Sequence, residues 1–214
     1  MKTDQVVSRA MVQFIATLAD NKLFLGRRYS EWCTGAPTLE AAVAAASMAQ
    51  DEIGHARSLY PLLQDLAGKS AETEPETRTA FENVSRLETE FESWTDFVAA
   101  NLLIDSSLTI LLESARHSSL EPLGQRARRI LEEERIHWLH AEGWTRRLAS
   151  AGGGLKQAFS ASLSDLAPGL AEILAPAVAE LVEPGVLDAS STTLIKRLEE
   201  RVNPVLRHAG LAPI

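Results

Sequence analysis

Glu52 and His55 stand three residues apart in the run "LEAAVAAASMAQDEIGHARSLYPLL", and Glu134 and His137 repeat that spacing in "EEERIHWLHAEGW". On a helix, residues three or four apart share a face. Around Glu52 and His55 that face carries Ala45, Met48, Ala49, Ala56, Leu59 and Leu62. Around Glu134 and His137 it carries Ala127, Ile130, Leu131, Trp138 and Ala141. Two aspartates lie on apolar stripes of their own: Asp20 among Ala16, Leu23 and Phe24, and Asp105 among Val98, Leu102, Leu108 and Leu112. All six ionisable groups are therefore expected to face a core.

Unpaired carboxylates in a core are strongly penalised and take up protons, unless cations offset the burial. A Glu and a His at i and i+3 can bind one ion, and the carboxylate can bridge to a second. Four carboxylates and two neutral imidazoles suit two first-row divalent ions, iron or manganese. Zinc generally takes fewer ligands, often with sulfur. The spacing thus predicts a two-metal site of Asp20, Glu52, His55, Asp105, Glu134 and His137, with Glu52 and Glu134 as the bridging, catalytic carboxylates. The adjacent Glu133 shares its face with Arg126 and Arg129 and is expected in a surface ion pair with Arg129. His140 is expected beside the ligands rather than among them, Trp138 and Trp144 in the core or at an interface, and His117 and His208 in solvent.

The elements that must position these groups are helical, since no alternating strand pattern occurs. The periodicity predicts a first helix over about residues 5–32, ending at "CTGAPT", and a second from the cap Thr38 to Ala67, with a bend at Pro61. "GKSAETEPETRT" reads as a polar linker. A third helix is expected over about residues 88–116 and a fourth over 123–148, joined by the turn "HSSLEPLG". Short turns make each pair antiparallel. Asp20 and Glu52 are equidistant from the "GAP" turn, and Asp105 and Glu134 from "SSLEP", so each aspartate should be level with the Glu-x-x-His opposite. Both levels lie roughly 20–25 Å from a turn at ~1.5 Å per residue. The predicted architecture is all-α: a ferritin-like antiparallel four-helix bundle over 1–150, with a helical extension over 151–214 that starts at "SAGGGL" and packs on it. The two aspartates depart from the usual di-iron bundle, whose single carboxylates are glutamates one methylene longer.

Bulk properties set limits. A chain of 214 residues with 45% apolar and 23% charged residues is of ordinary globular composition. The net charge of −8 argues against a nucleic-acid surface. The single Cys33 excludes an internal disulfide and suits a reducing cytoplasm. No secretory pattern opens the sequence, and no run approaches ~18 uninterrupted apolar residues, so no membrane partner is expected.

"LGRRYSEWCTGAPTLEAAVAAASMAQDEIGHARSLY" and "EEERIHWLHAEGWTRRLA" together resemble the ring-1,2-phenylacetyl-CoA epoxidase family of phenylacetic acid catabolism. The resemblance covers roughly residues 5–150. "SEWC" with the following Pro and "LE", and "D–G–AR", are closest to the structural subunit of that multicomponent monooxygenase. Structural subunits of that kind keep the scaffold but have lost metal ligands in the second helix, whereas Glu52 and His55 are kept here. The resemblance implies a di-iron centre activating dioxygen, a separate flavin and iron–sulfur reductase, a homologous subunit as partner in a homo- or hetero-oligomer, and an aryl-CoA thioester as substrate.

Three readings follow: an oxygen-activating di-iron enzyme, a non-catalytic scaffold subunit docked on a catalytic homologue, or a ferritin-like protein that handles metal or scavenges peroxide. A cavity beside Trp138 able to take an aryl ring would weigh against the third.

Overall fold

A computed structural model describes residues 2–67, 78–177 and 179–214. All regular elements there are helical. Helix α1 (Lys2–Glu31) and helix α2 (Leu39–Ala67) form the first hairpin. The hydroxyl of Thr38 accepts a bond from the Ala41 amide (3.2 Å), so the expected cap starts α2. The helical span runs through Pro61. Gly26 lets the two helices approach closely: a Cβ there would lie 2.7 Å from Ile53 Cγ1 and 3.1 Å from the Ala49 carbonyl.

Helix α3 (Trp94–Ser114) starts later than the periodicity predicts. Ser85–Glu88 is a 3-10 turn, and Ser93 with Asp96 builds a capping box that fixes the start of α3 at Trp94. At Asn101–Asp105 the helix widens to a π segment before returning to α geometry at Ser106. Helix α3 is long and apolar enough to cross a membrane, which a count of uninterrupted apolar residues misses. However, 94% of its window is buried against the rest of the chain, so it is the core helix. Helix α4 (Glu121–Ser150) opens with Pro122 in its first turn, where the missing N–H costs nothing, and returns antiparallel to α3.

Gly152 and Gly153, at φ 67° and 52°, turn the chain out of α4 into α5 (Gly153–Leu166). The short α6 (Gly169–Leu174) and α7 (Ala179–Val182) lead to α8 (Ser191–His208). This extension shares the core: Phe159, Leu163, Ile173, Leu194, Leu198 and Val202 join the same apolar cluster as Phe14, Leu59, Phe97 and Leu111. Polar ties reinforce it, with Ser162 donating to Asp96 (2.6 Å) and Arg201 paired to Glu113 (2.6 Å). The fold is a ferritin-like helical bundle with a helical C-terminal tail. Most of the linker "GKSAETEPETRT" lies outside the described residues.

Candidate functional site

Four predicted ligands converge. One ligand atom each from Glu52, Asp105, Glu134 and His137 lies within 4.8 Å of the others, and all four residues are buried. Three helices supply them at one level, as their distances from the turns require. This buried cluster has the donors and spacing to hold a metal ion. Among the described residues it is the group with that property.

A fourth helix contributes a cation rather than a ligand. Lys22 of α1 is fully buried, and its Nζ donates to Asp105 Oδ1 (2.6 Å), Glu134 Oε1 (2.6 Å) and Glu52 Oε1 (3.0 Å). The ammonium thus uses all three of its donors on the three carboxylates. Burial opposes its charge, but Asp105, Glu134 and Glu52 outweigh that and hold its pKa well above the usual lysine value. Acids and imidazoles at metal-ligand spacing do not point to Lys22. Its signal in the sequence is isolation: between Arg9 and Arg27 the only charged residues are Asp20 and Lys22.

Asp20 does not join the cluster. Its carboxylate accepts from the Tyr60 hydroxyl (2.8 Å), from Arg78 (2.7 Å) and from the Glu82 backbone N–H (2.8 Å). Residues two positions apart on a helix differ by about 200° around its axis, so with Lys22 turned inward Asp20 must face away. An apolar stripe could not reveal this, because α1 is buried all round from Phe14 to Leu23. Asp20 and Asn21 instead clasp the segment entering the 3-10 turn: Asn21 Nδ2 donates to the Glu82 carbonyl (3.1 Å), and the Val84 amide donates to Asn21 Oδ1 (2.9 Å).

The two histidines are held reciprocally. His137 faces Asp105 through Nδ1 (3.0 Å) and Asp51 through Nε2 (3.4 Å). His55 faces Glu134 through Nδ1 (3.2 Å) and Glu133 through Nε2 (2.6 Å). Each imidazole thus takes its outer carboxylate from the opposite helix, at the residue just before that helix's own buried glutamate. Glu133 therefore meets His55 and not Arg129, its expected surface partner, because its carboxylate reaches across to the opposite helix, and Asp51 is a neighbour of the site that the spacing did not single out. Burial works against charge on both rings. For His137 the Asp105 carboxylate outweighs it, and for His55 the Glu134 and Glu52 carboxylates do, so both pKa values are raised. Inside the cage, the Lys22 ammonium and the inner nitrogens of His55 and His137 face the carboxyl groups of Glu52, Asp105 and Glu134.

The acids respond unequally. Burial and the neighbouring Asp105 charge push Glu52 up to about 7, against the pull of Lys22. Asp105 is held well below the usual aspartate value, since Lys22 and His137 overcome its burial. Glu52 Oε2 is buried with no hydrogen-bond partner. The Thr109 hydroxyl donates to Glu134 Oε2 (2.9 Å), and Asn101 Nδ2 to Asp105 Oδ2 (3.2 Å). His140 lies beside the cage, as the spacing suggests, with Nδ1 2.9 Å from Asn101 Oδ1. Burial and the His137 charge depress it to about 4, so it stays neutral among Trp94, Phe97 and Trp144. A cavity of about 250 Å³ reaches Asp105, Glu134 and His137 past Trp138 and Thr109.

The sequence matches the model of the family described as "Phenylacetic acid catabolic protein" over residues 1–213. The chain belongs to that family. It is also similar to one of the subunits of the 1,2-phenylacetyl-CoA epoxidase of Escherichia coli (strain K12), at 30% identity over 143 residues. That match covers 65% of this chain and 58% of the relative, so the chain spans a little over half the length of the relative it matches. The family is thus one that includes epoxidase subunits, and the relative is by its name one component of a larger assembly.

Proposed function

We propose that the chain is a non-catalytic, structural subunit of a multicomponent epoxidase acting on an aryl-CoA thioester, docked in the cytoplasm on a catalytic homologue that carries the metal. The observation behind this reading is the Lys22 ammonium, bonded to three of the carboxylates that would hold the ions. Two divalent ions would need the six predicted ligands. With Asp20 committed to Tyr60, Arg78 and Glu82, and Lys22 among the rest, the residues present do not fit a di-iron pair. No oxidative step is assigned to this chain. Its contribution is a rigid bundle whose charged centre is neutralised from within.

A second reading, an oxygen-activating di-iron or di-manganese subunit with Glu52 and Glu134 as bridges and a separate reductase, draws on the cavity beside Trp138. Its volume, about 250 Å³, exceeds the roughly 150 Å³ cavity known to accept benzene. The same cavity weighs against a peroxide-scavenging role without organic substrate. The two main readings part in one assay. Added to a metal-loaded catalytic subunit of the family with its reductase, this chain should raise turnover of an aryl-CoA thioester. Alone with ferrous iron, reductant and dioxygen it should turn over none. Oxygenation by the chain alone would overturn the proposal in favour of the second reading.

A further inference from the structure

We infer that Lys22 is a built-in replacement for one divalent cation, and that its removal turns the cage into a site for a single first-row divalent ion held by Glu52, Asp105, Glu134 and His137. The inference deepens the proposed function and rests on its reading of Lys22. It also makes a claim that reading does not need, namely that the remaining donors are still competent.

Four observations carry it. The four ligand atoms already lie within 4.8 Å of one another, a little wider than the ~4.4 Å that atoms on opposite sides of one ion can span at bond lengths of about 2.0–2.2 Å, so small side-chain shifts would close the set on an ion. Lys22 Nζ is bonded to three of these residues and shows that the place favours positive charge. Glu52 Oε2, fully buried and without a partner, is an acceptor the ammonium leaves unused. Finally, the Nε2 of His137 faces Asp51 while Nδ1 faces the cage. A metal-bound imidazole is held in that same manner, with an outer carboxylate fixing the tautomer and the inner nitrogen free to ligate once it loses its proton. One nitrogen and three carboxylates suit Mn²⁺, Fe²⁺, Co²⁺ or Zn²⁺. Among the described residues a second ion finds no comparable set, because Asp20 is turned away.

Lys22→Met keeps the stem of the side chain and removes its charge. Native protein and variant are loaded with Co²⁺, freed of excess and analysed for bound metal, visible absorption and thermal unfolding. The native chain is expected to retain almost no cobalt. Lys22→Met should retain about one ion per chain, show ligand-field bands and gain about 5 °C or more in Tm with Co²⁺ at about a hundredfold over Kd. Adding Glu134→Gln to it should weaken retention at least tenfold. A folded Lys22→Met that takes up no more cobalt than native protein overturns this inference and leaves the proposed function standing. Stoichiometric cobalt in native protein overturns both. Should Lys22→Met unfold without metal, recovery of cooperative unfolding on adding Co²⁺ supports the inference. Should it stay unfolded with Co²⁺ as well, the inference is overturned, because the ion then fails to replace the ammonium.

Discussion

At the scale of residues, the centre of this bundle is governed by charge count. Glu52, Asp105 and Glu134 are buried, and each has the Lys22 ammonium within 3.0 Å. Removing one partner of such a network leaves uncompensated buried charge, whose cost is larger than the net worth of the intact pair. Lys22→Ala is therefore expected to lose about 3–5 kcal/mol in urea unfolding at neutral pH. Glu52 gives the cage a pH dependence. Its folded pKa of about 7 lies above the ordinary value of 4.5. Between those values the folded state holds the proton that the unfolded state has lost, so stability falls as pH rises from about 4.5 to 7. Asp105 runs the other way, its stabilisation disappearing only as pH drops below the usual aspartate range, through its depressed folded pKa. Glu52→Gln cannot ionise. Its stability relative to native protein should increase across pH 4.5–7 and level off above, as read by urea midpoints; a constant difference would contradict the assignment.

At the scale of elements, the sequence disclosed the helices and their register better than their faces. Equal distances from two turns correctly set Glu52, Asp105 and Glu134 at one level, because a helix rises uniformly per residue. The face of Asp20 could not be read, since α1 is buried on every side near its middle and an apolar surrounding then carries no direction. The π segment at Asn101–Asp105 was equally hidden, for a widened turn leaves no mark on a 3.6-residue pattern and nonetheless sets where Asp105 points. These local roles can be separated by mutation. Asp20→Ala removes the acceptor for Tyr60, Arg78 and the Glu82 amide, and should cost about 3 kcal/mol of stability while leaving cobalt uptake by Lys22→Met unchanged. Gly26→Ala forces a methyl against Ile53 and the Ala49 carbonyl at the α1–α2 crossing, and should cost about 1–3 kcal/mol in the same unfolding assay.

At the scale of the whole molecule, the two Glu-x-x-His segments give the bundle an internal two-fold echo. Each imidazole is gripped by the other half's outer acid, and the lysine sits where the halves meet. The fold was legible in the sequence, and so was the meeting of Glu52, His55, Asp105, Glu134 and His137, because burial of acid and imidazole is rare without a cation. The identity of that cation was not, since a metal and an ammonium create the same need for buried carboxylates. The most direct test is a crystal of native protein from iron-replete growth, with anomalous data collected above and below the iron edge. The account predicts no iron peak between Glu52, Asp105 and Glu134, and continuous density placing Lys22 Nζ within hydrogen-bond distance of all three. An iron peak at that position, with the lysine displaced, would contradict it.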